Sequence, residues 1–179
     1  MSTKSITLIR STAEGESGGV LNSDLRLALY QPDIPQNCGT ILRMCACLGV
    51  AASIIEPAGF PVSDKHFRRS GMDYLEAISL ERHMNWVTFA EFVAPRRIVL
   101  LSTRAAFEYT EFVYHPDDVL LLGRESAGVP EHIHEGVHAR VLIPMQPQMR
   151  SLNIAVAAAM VLGEALRQTR NKNDPSGKT

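Results

Sequence analysis

Two strand-to-helix passages near the end of the chain, each broken by glycine or proline, restrict the fold more than any other feature of the sequence. Val119-Leu120-Leu121-Leu122 is an unbroken apolar run of the kind that forms a strand buried on both faces. It stops at Gly123-Arg124-Glu125-Ser126-Ala127-Gly128, after which Val129-Pro130-Glu131 reads as a helix start with proline in its first turn. The plan recurs downstream. Val141-Leu142-Ile143-Pro144-Met145 predicts a strand, a polar loop runs to Arg150, and Ser151-Leu152-Asn153 opens a long apolar helix. In open α/β sheets the ligand crevice lies beyond the carboxyl ends of the strands. Two such ends, both followed by polar residues, predict one composite site.

Upstream, strand and helix alternate. Residues 25–30 predict strand 1, and residues 31–35 a proline-stiffened loop. Asn37 is a suitable N-cap for a helix running to about Leu48 and closed by Gly49. Ile41, Met44, Cys45 and Leu48 form its core stripe, and Arg43 falls on the other side. Residues 51–56 predict strand 2, and residues 64–70 a short basic helix carrying Lys65, Arg68 and Arg69. Val87 ends a short strand, Thr88 caps a brief helix, and residues 97–102 form another buried strand. The stretch 103–114 is open between loop and helix. With no internal repeat, this alternation predicts an α/β fold, a mostly parallel sheet flanked by helices. One domain spans residues 23–170, after a disordered or appended segment 1–22 and before a polar tail 171–179.

The last helix is apolar on every face between Ile154 and Leu162, the pattern of a helix buried all round. A second subunit covering Ala157, Met160 and Val161 accounts for this in so small a domain; a central core helix under a long loop is the alternative. The first reading predicts a homodimer.

Composition narrows the function. A net charge of −1 over 179 residues gives no global basic field, so any nucleic-acid contact must come from a local patch or a seam between subunits. Three cysteines, Cys38, Cys45 and Cys47, are odd in number and form no paired CxxC sets, which fits reduced thiols in a cytoplasmic protein. No apolar run reaches the roughly eighteen residues of a membrane span. The sequence holds no GxxxxGK[ST], no GxGxxG after a strand and no GxSxG elbow. His132, His134 and His138 could form a metal cluster, but Glu131 and Glu135 beside them favour a solvated helix face, and no metal is expected.

Three pieces remain: Asn37-x-Gly39-x-x-x-Arg43, Gly123-x-Glu125-x-x-Gly128, and Pro144 followed by Ser151-Leu152-Asn153. In this order the sequence resembles the SPOUT class of RNA ribose 2′-O-methyltransferases, over residues 25–170. Residues 29–37 (LYQPDIPQN), 68–74 (RRSGMDY), 143–145 (IPM) and 150–153 (RSLN) resemble its TrmL-like branch, the tRNA (cytidine/uridine) wobble-position 2′-O-methyltransferases. The resemblance implies a C-terminal deep trefoil knot and S-adenosylmethionine as methyl donor, held by Leu101, Gly123, Ile143 and Ser151. It implies Arg43 as the catalytic arginine, aided by Asn37, Glu125 and Asn153, and a tRNA anticodon stem-loop as partner. Lys65, Arg68, Arg69, Arg124 and Arg150 are the candidate RNA-binding cations; the two central arginines could instead pair with Asp64 and Asp73. Another RNA such as ribosomal RNA, or a non-catalytic RNA-binding role, are the alternatives. The chain departs from the branch at Arg124, which replaces a usual proline, at Ala155, which replaces a common hydroxyl, and at Gly163, which replaces a tyrosine.

Overall fold

The computed structural model describes residues 23–61 and 78–170. The expected basic helix at 64–70, with Lys65, Arg68 and Arg69, lies outside the described residues, as do segments 1–22 and 171–179.

Strand β1 (Arg26–Tyr30) leads into helix α1 (Pro35–Leu48) and strand β2 (Ala51–Ile55). Strand β3 (Leu80–His83), helix α2 (Trp86–Val93), strand β4 (Ile98–Leu101) and the two-residue strand β5 (Phe107–Glu108) follow. Strand β6 (Val119–Leu122), helix α3 (Glu131–Gly136), strand β7 (Ala139–Leu142) and helix α4 (Ile154–Arg170) complete the described chain. The strands form one sheet in the order β3-β2-β1-β6-β4-β7-β5, and every pairing is parallel. Helices cover both faces, which is why β1 and β6 are buried along their whole length.

Side-chain alternation along the strands sorts the core into two layers. Leu27, Leu29, Val99, Leu120, Leu122 and Val141 pack against α1 and α4. Ala28, Tyr30, Ile98, Leu100, Val119 and Leu121 face the other way, toward Phe89 and Val93 of α2 and Ile133 of α3. The α1 stripe is Cys38, Ile41, Leu42 and Cys45; Met44 and Leu48 are only half-buried, so the helix is turned slightly from the expected phase.

Several boundaries differ from expectation for identifiable reasons. Helix α1 begins at Pro35, with Ile34 and not Asn37 as its N-cap. Proline suits the first helical position because its missing N–H has no intrahelical partner there. Asn37 sits inside the first turn with its side chain free for tertiary contacts. Gly49 closes the helix as expected, at φ 64. Asn85, not Thr88, caps α2; Thr88 is the third helical residue and returns the bond in a capping box. The predicted strand at 141–145 is β7, shifted to begin at Ala139, which pairs with Val99. Val161, expected on an open face of α4, is fully buried with Ala158, Leu162, Ala165 and Leu166. Val156 and Ala159 remain exposed on the same helix.

Candidate active site at the carboxyl ends of the central strands

Parallel register places Leu29, Leu122, Leu101 and Val141 in one row, so β1, β6, β4 and β7 end together. The loops beyond them enclose a cavity of about 570 Å³. Leu101 and Ser102 line it from β4, residues 122–129 from β6, and Val141 and Ile143 from β7. Residues 150–154 close it at the start of α4, and Ile34 and Asn37 reach it from α1. Leu101, Gly123, Ile143 and Ser151 are thus brought together, and Arg124 and Arg150 line the same space.

The loop after β6 owes its shape to its two glycines. Arg124 and Gly128 bond each other reciprocally through the backbone, at 2.9 and 2.8 Å. This draws Gly128 so close that a Cβ on Gly123 would lie 2.6 Å from the Gly128 carbonyl carbon. Gly128 itself has φ +67, a left-handed conformation that disfavours side chains. The turn therefore needs glycine at both ends, for two different reasons.

Hydrogen bonds join the three motifs. Asn153 Oδ1 accepts the backbone N–H groups of Ala155 (2.9 Å) and Val156 (3.4 Å), capping α4. Its amide nitrogen donates to Asn37 Oδ1 at 3.0 Å, and Asn37 Nδ2 donates to Glu125 Oε1 at 3.1 Å. Glu125 Oε2 accepts the backbone N–H of Asp33 at 3.2 Å. Asp33 Oδ1 accepts the Glu125 N–H at 3.2 Å, and Oδ2 accepts a short bond from the Ser126 hydroxyl. Arg124 Nε stands 3.6 Å from that same oxygen. Burial and the neighbouring Asp33 carboxyl push Glu125 above the usual carboxylate range, although the Asn37 amide pulls it back. Asp33 is held down at about 2 by its bonds to Glu125 and Ser126 and by the Arg124 charge, against a smaller loss of hydration.

Arg43 is exposed on α1 and is not among the residues lining the cavity. The three histidines do not converge. His134 is buried with Nε2 3.1 Å from Ser102 Oγ, while His138 Nδ1 accepts the Ile98 N–H at 3.0 Å. Among the described residues a different group, His115, Asp117 and Asp118, brings possible metal ligands together. Both Asp118 oxygens there already accept from Arg97.

Sequence reasoning missed three participants: Asp33, the Ser102–His134 pair, and the Arg104–Glu131 ion pair that ties the β4 loop to α3 at 2.9 Å. Ser102 follows directly on the end of β4, as Gly123 follows β6, and the same rule would have found it; Asp33 lies three residues beyond β1 and no local rule marks it.

Comparison with known proteins follows the same lines. The model of the SpoU rRNA Methylase family matches residues 24–163. A tRNA (cytidine(34)-2′-O)-methyltransferase of Beijerinckia indica subsp. indica is 68% identical over 144 residues, covering 79% of this chain and 90% of that protein. The Escherichia coli (strain K12) protein of the same name is 39% identical over 146 residues, covering 80% and 93%. A structure solved for "Structural insights into the 2-OH methylation of C/U34 on tRNA" superposes with a TM-score of 0.77 at 38% identity, covering 80% of this chain and 95% of that one. The methyltransferase AviRb of Streptomyces viridochromogenes, in complex with AdoMet, superposes with a TM-score of 0.76 at 26% identity, covering 85% and 63%.

Proposed function

The chain belongs to the SpoU rRNA Methylase family, and on that premise we propose that it transfers a methyl group from S-adenosylmethionine to the ribose 2′-oxygen of the wobble cytidine or uridine in a subset of tRNAs. The observation that carries this reading is the cavity at the strand ends, built by all three motifs, in a chain 68% identical to a tRNA (cytidine(34)-2′-O)-methyltransferase. Ribosomal RNA is the second reading, favoured by the family's description; the higher identity places tRNA first.

A cavity of about 570 Å³ is within the range that encloses a nucleoside-sized ligand. Leu101 and Ile143 offer apolar walls for an adenine ring, and the backbone at Gly123 and Ser151 offers polar groups to its edge and ribose. The bound donor supplies a methyl group already activated on a sulfonium, so the protein's task is alignment and charge stabilisation. Glu125 and Asn153 hold the loops that shape the pocket, with Asn37 bridging them. Arg43 keeps its proton, as guanidinium does in proteins. It binds an RNA phosphate and stabilises charge developing on the 2′-oxygen.

Because Arg43 stands outside its own chain's cavity lining, it serves the cavity of a second subunit in a homodimer. Exposed Ile34, Leu152 and Val156, beside the cavity and along α4, support that seam. Arg124 and Arg150, together with Lys65, Arg68 and Arg69, grip the phosphates of the anticodon stem-loop, while the target nucleotide is splayed to present its ribose. Membership of the family supports a deep trefoil knot in the C-terminal part. Among the described residues no helix is long and apolar enough to cross a membrane. We place the protein in the cytoplasm, with its tRNA.

The test is methyl transfer to tRNA transcripts bearing ribose or 2′-deoxyribose at position 34. Transfer to the first and none to the second is expected; equal transfer to both would remove the 2′-oxygen of that nucleotide as the acceptor.

A further inference from the structure

The loop between β1 and α1 is held from behind. Gln31 takes a left-handed conformation at φ 45, while its N–H stays bonded to the Ile55 carbonyl at 2.9 Å. Pro32 follows with its φ fixed by its own ring, and its carbonyl accepts the Gly59 N–H at 2.8 Å. Gly59 is so close that a Cβ there would stand 3.0 Å from both Cα and Cβ of Asp33. Asp33 is thus fixed on the sheet before it makes any contact with the cavity loop.

On its other side Asp33 meets residues 92 and 93 positions away in sequence. Its carboxylate takes the Glu125 N–H on one oxygen and the Ser126 hydroxyl on the other, and its own N–H donates to Glu125. These three bonds hold the middle of the 123–128 loop, whose ends are already closed by the Arg124–Gly128 pairing. The charge of Arg124 is held against the same carboxylate. Arg124 Nε is buried without a hydrogen-bond partner, so Asp33 is the anion that compensates it.

From this clamp we infer that Asp33 is a positioning residue of the site: it fixes the 123–128 loop and thereby sets the cavity's affinity for an adenosyl methyl donor. The inference rests on the donor-binding reading proposed above. Asp33 does not line the cavity and touches no reacting atom; it acts through Glu125, Ser126 and Arg124. Loss of the clamp frees one wall of the cavity while the buried strands stay packed, so its removal is read in binding before it is read in folding.

The experiment compares wild type with Asp33→Ala and Asp33→Asn. Deuterium exchange of residues 123–128 is followed in the ligand-free protein, and calorimetry measures S-adenosylhomocysteine binding. Exchange in that loop is expected to rise in both variants, with β1 and β6 as protected as in wild type. Affinity in Asp33→Ala should fall by about 10-fold or more, the scale for losing hydrogen bonds to a charged group, with donor KM raised more than kcat is lowered. Asp33→Asn keeps an acceptor for the Glu125 N–H and guards against an alanine variant that fails to fold. It is expected to recover part of the affinity. Unchanged loop exchange in the folded variants, wild-type affinity in them, or a loss confined to kcat would overturn the inference. If wild type binds no S-adenosylhomocysteine, the donor-binding reading fails, and this inference falls with it only as regards affinity; the exchange measurement still decides whether Asp33 holds the loop.

Discussion

Gly123 and Gly128 face each other across one turn, yet substitution at each meets a different barrier. A methyl on Gly128 would touch nothing within 4 Å but would have to adopt φ +67, which costs about 1–2 kcal/mol. A methyl on Gly123 would be driven 2.6 Å from backbone that has no side chain to yield, and overpacking of this kind costs about 1–3 kcal/mol. Gly123→Ala is therefore predicted to weaken donor binding more than Gly128→Ala, because it pries open the loop that lines the cavity. Equal donor affinities in calorimetry of the two folded variants would contradict this. The Asp33 carboxyl adds a pH dependence of definite sign. Its value in the fold is about 2, below the ordinary 3.8, so its stabilising contribution is complete above 3.8 and is lost as pH falls toward about 2. Urea midpoints measured across that window should fall less in Asp33→Asn than in wild type, and parallel acid limbs would contradict the assignment. Cys38 and Cys45 have thiols pushed up to about 12 by burial, whereas Cys47 is exposed. One thiol per chain should react with a thiol reagent in the native protein at mild alkaline pH, and all three after unfolding.

Among the elements, α4 shows how a cap and a site can share one residue. Asn153→Ala removes the cap, a loss of about 1 kcal/mol, and also the bond to Asn37. Asn153→Asp retains a capping oxygen but cannot donate to Asn37, so it should keep thermal stability near wild type while losing donor affinity. Melting curves and calorimetry separate the two roles, and a pure cap would show intact binding in the aspartate variant. Strands β4 and β6 were legible in the sequence because a parallel strand covered on both faces reads as an unbroken apolar run, and β1 was legible from its alternation. The start of α1 was misjudged because asparagine is a favoured cap, and the preference of proline for the first helical turn was not weighed against it. Strand β7 was placed late because its apolar run begins only at Val141; in the fold it starts at Ala139, and the Arg140 guanidinium reaches the His134 carbonyl at 2.6 Å. The Asp33 clamp was invisible for a different reason. Its partners are 91 to 93 residues away, and no local pattern reports a contact made across two neighbouring strand ends.

For the whole molecule, Arg43 lies on an exposed face outside its own cavity lining, and the homodimer proposed above would bring it to a partner's cavity. Sedimentation at micromolar concentration should show twice the 19.7 kDa chain mass. Arg43→Ala should leave donor affinity near wild type and lower methyl transfer by about 10²-fold or more, the scale for loss of one charge-stabilising donor. A monomer with full activity would contradict the shared site. The central claim concerns the acceptor, and mapping of ribose methyls in total RNA before and after treatment with the purified protein and S-adenosylmethionine tests it most directly. New 2′-O-methyl groups at the wobble position of a subset of tRNAs are predicted; methylation confined to ribosomal RNA, with the wobble riboses untouched, would contradict it.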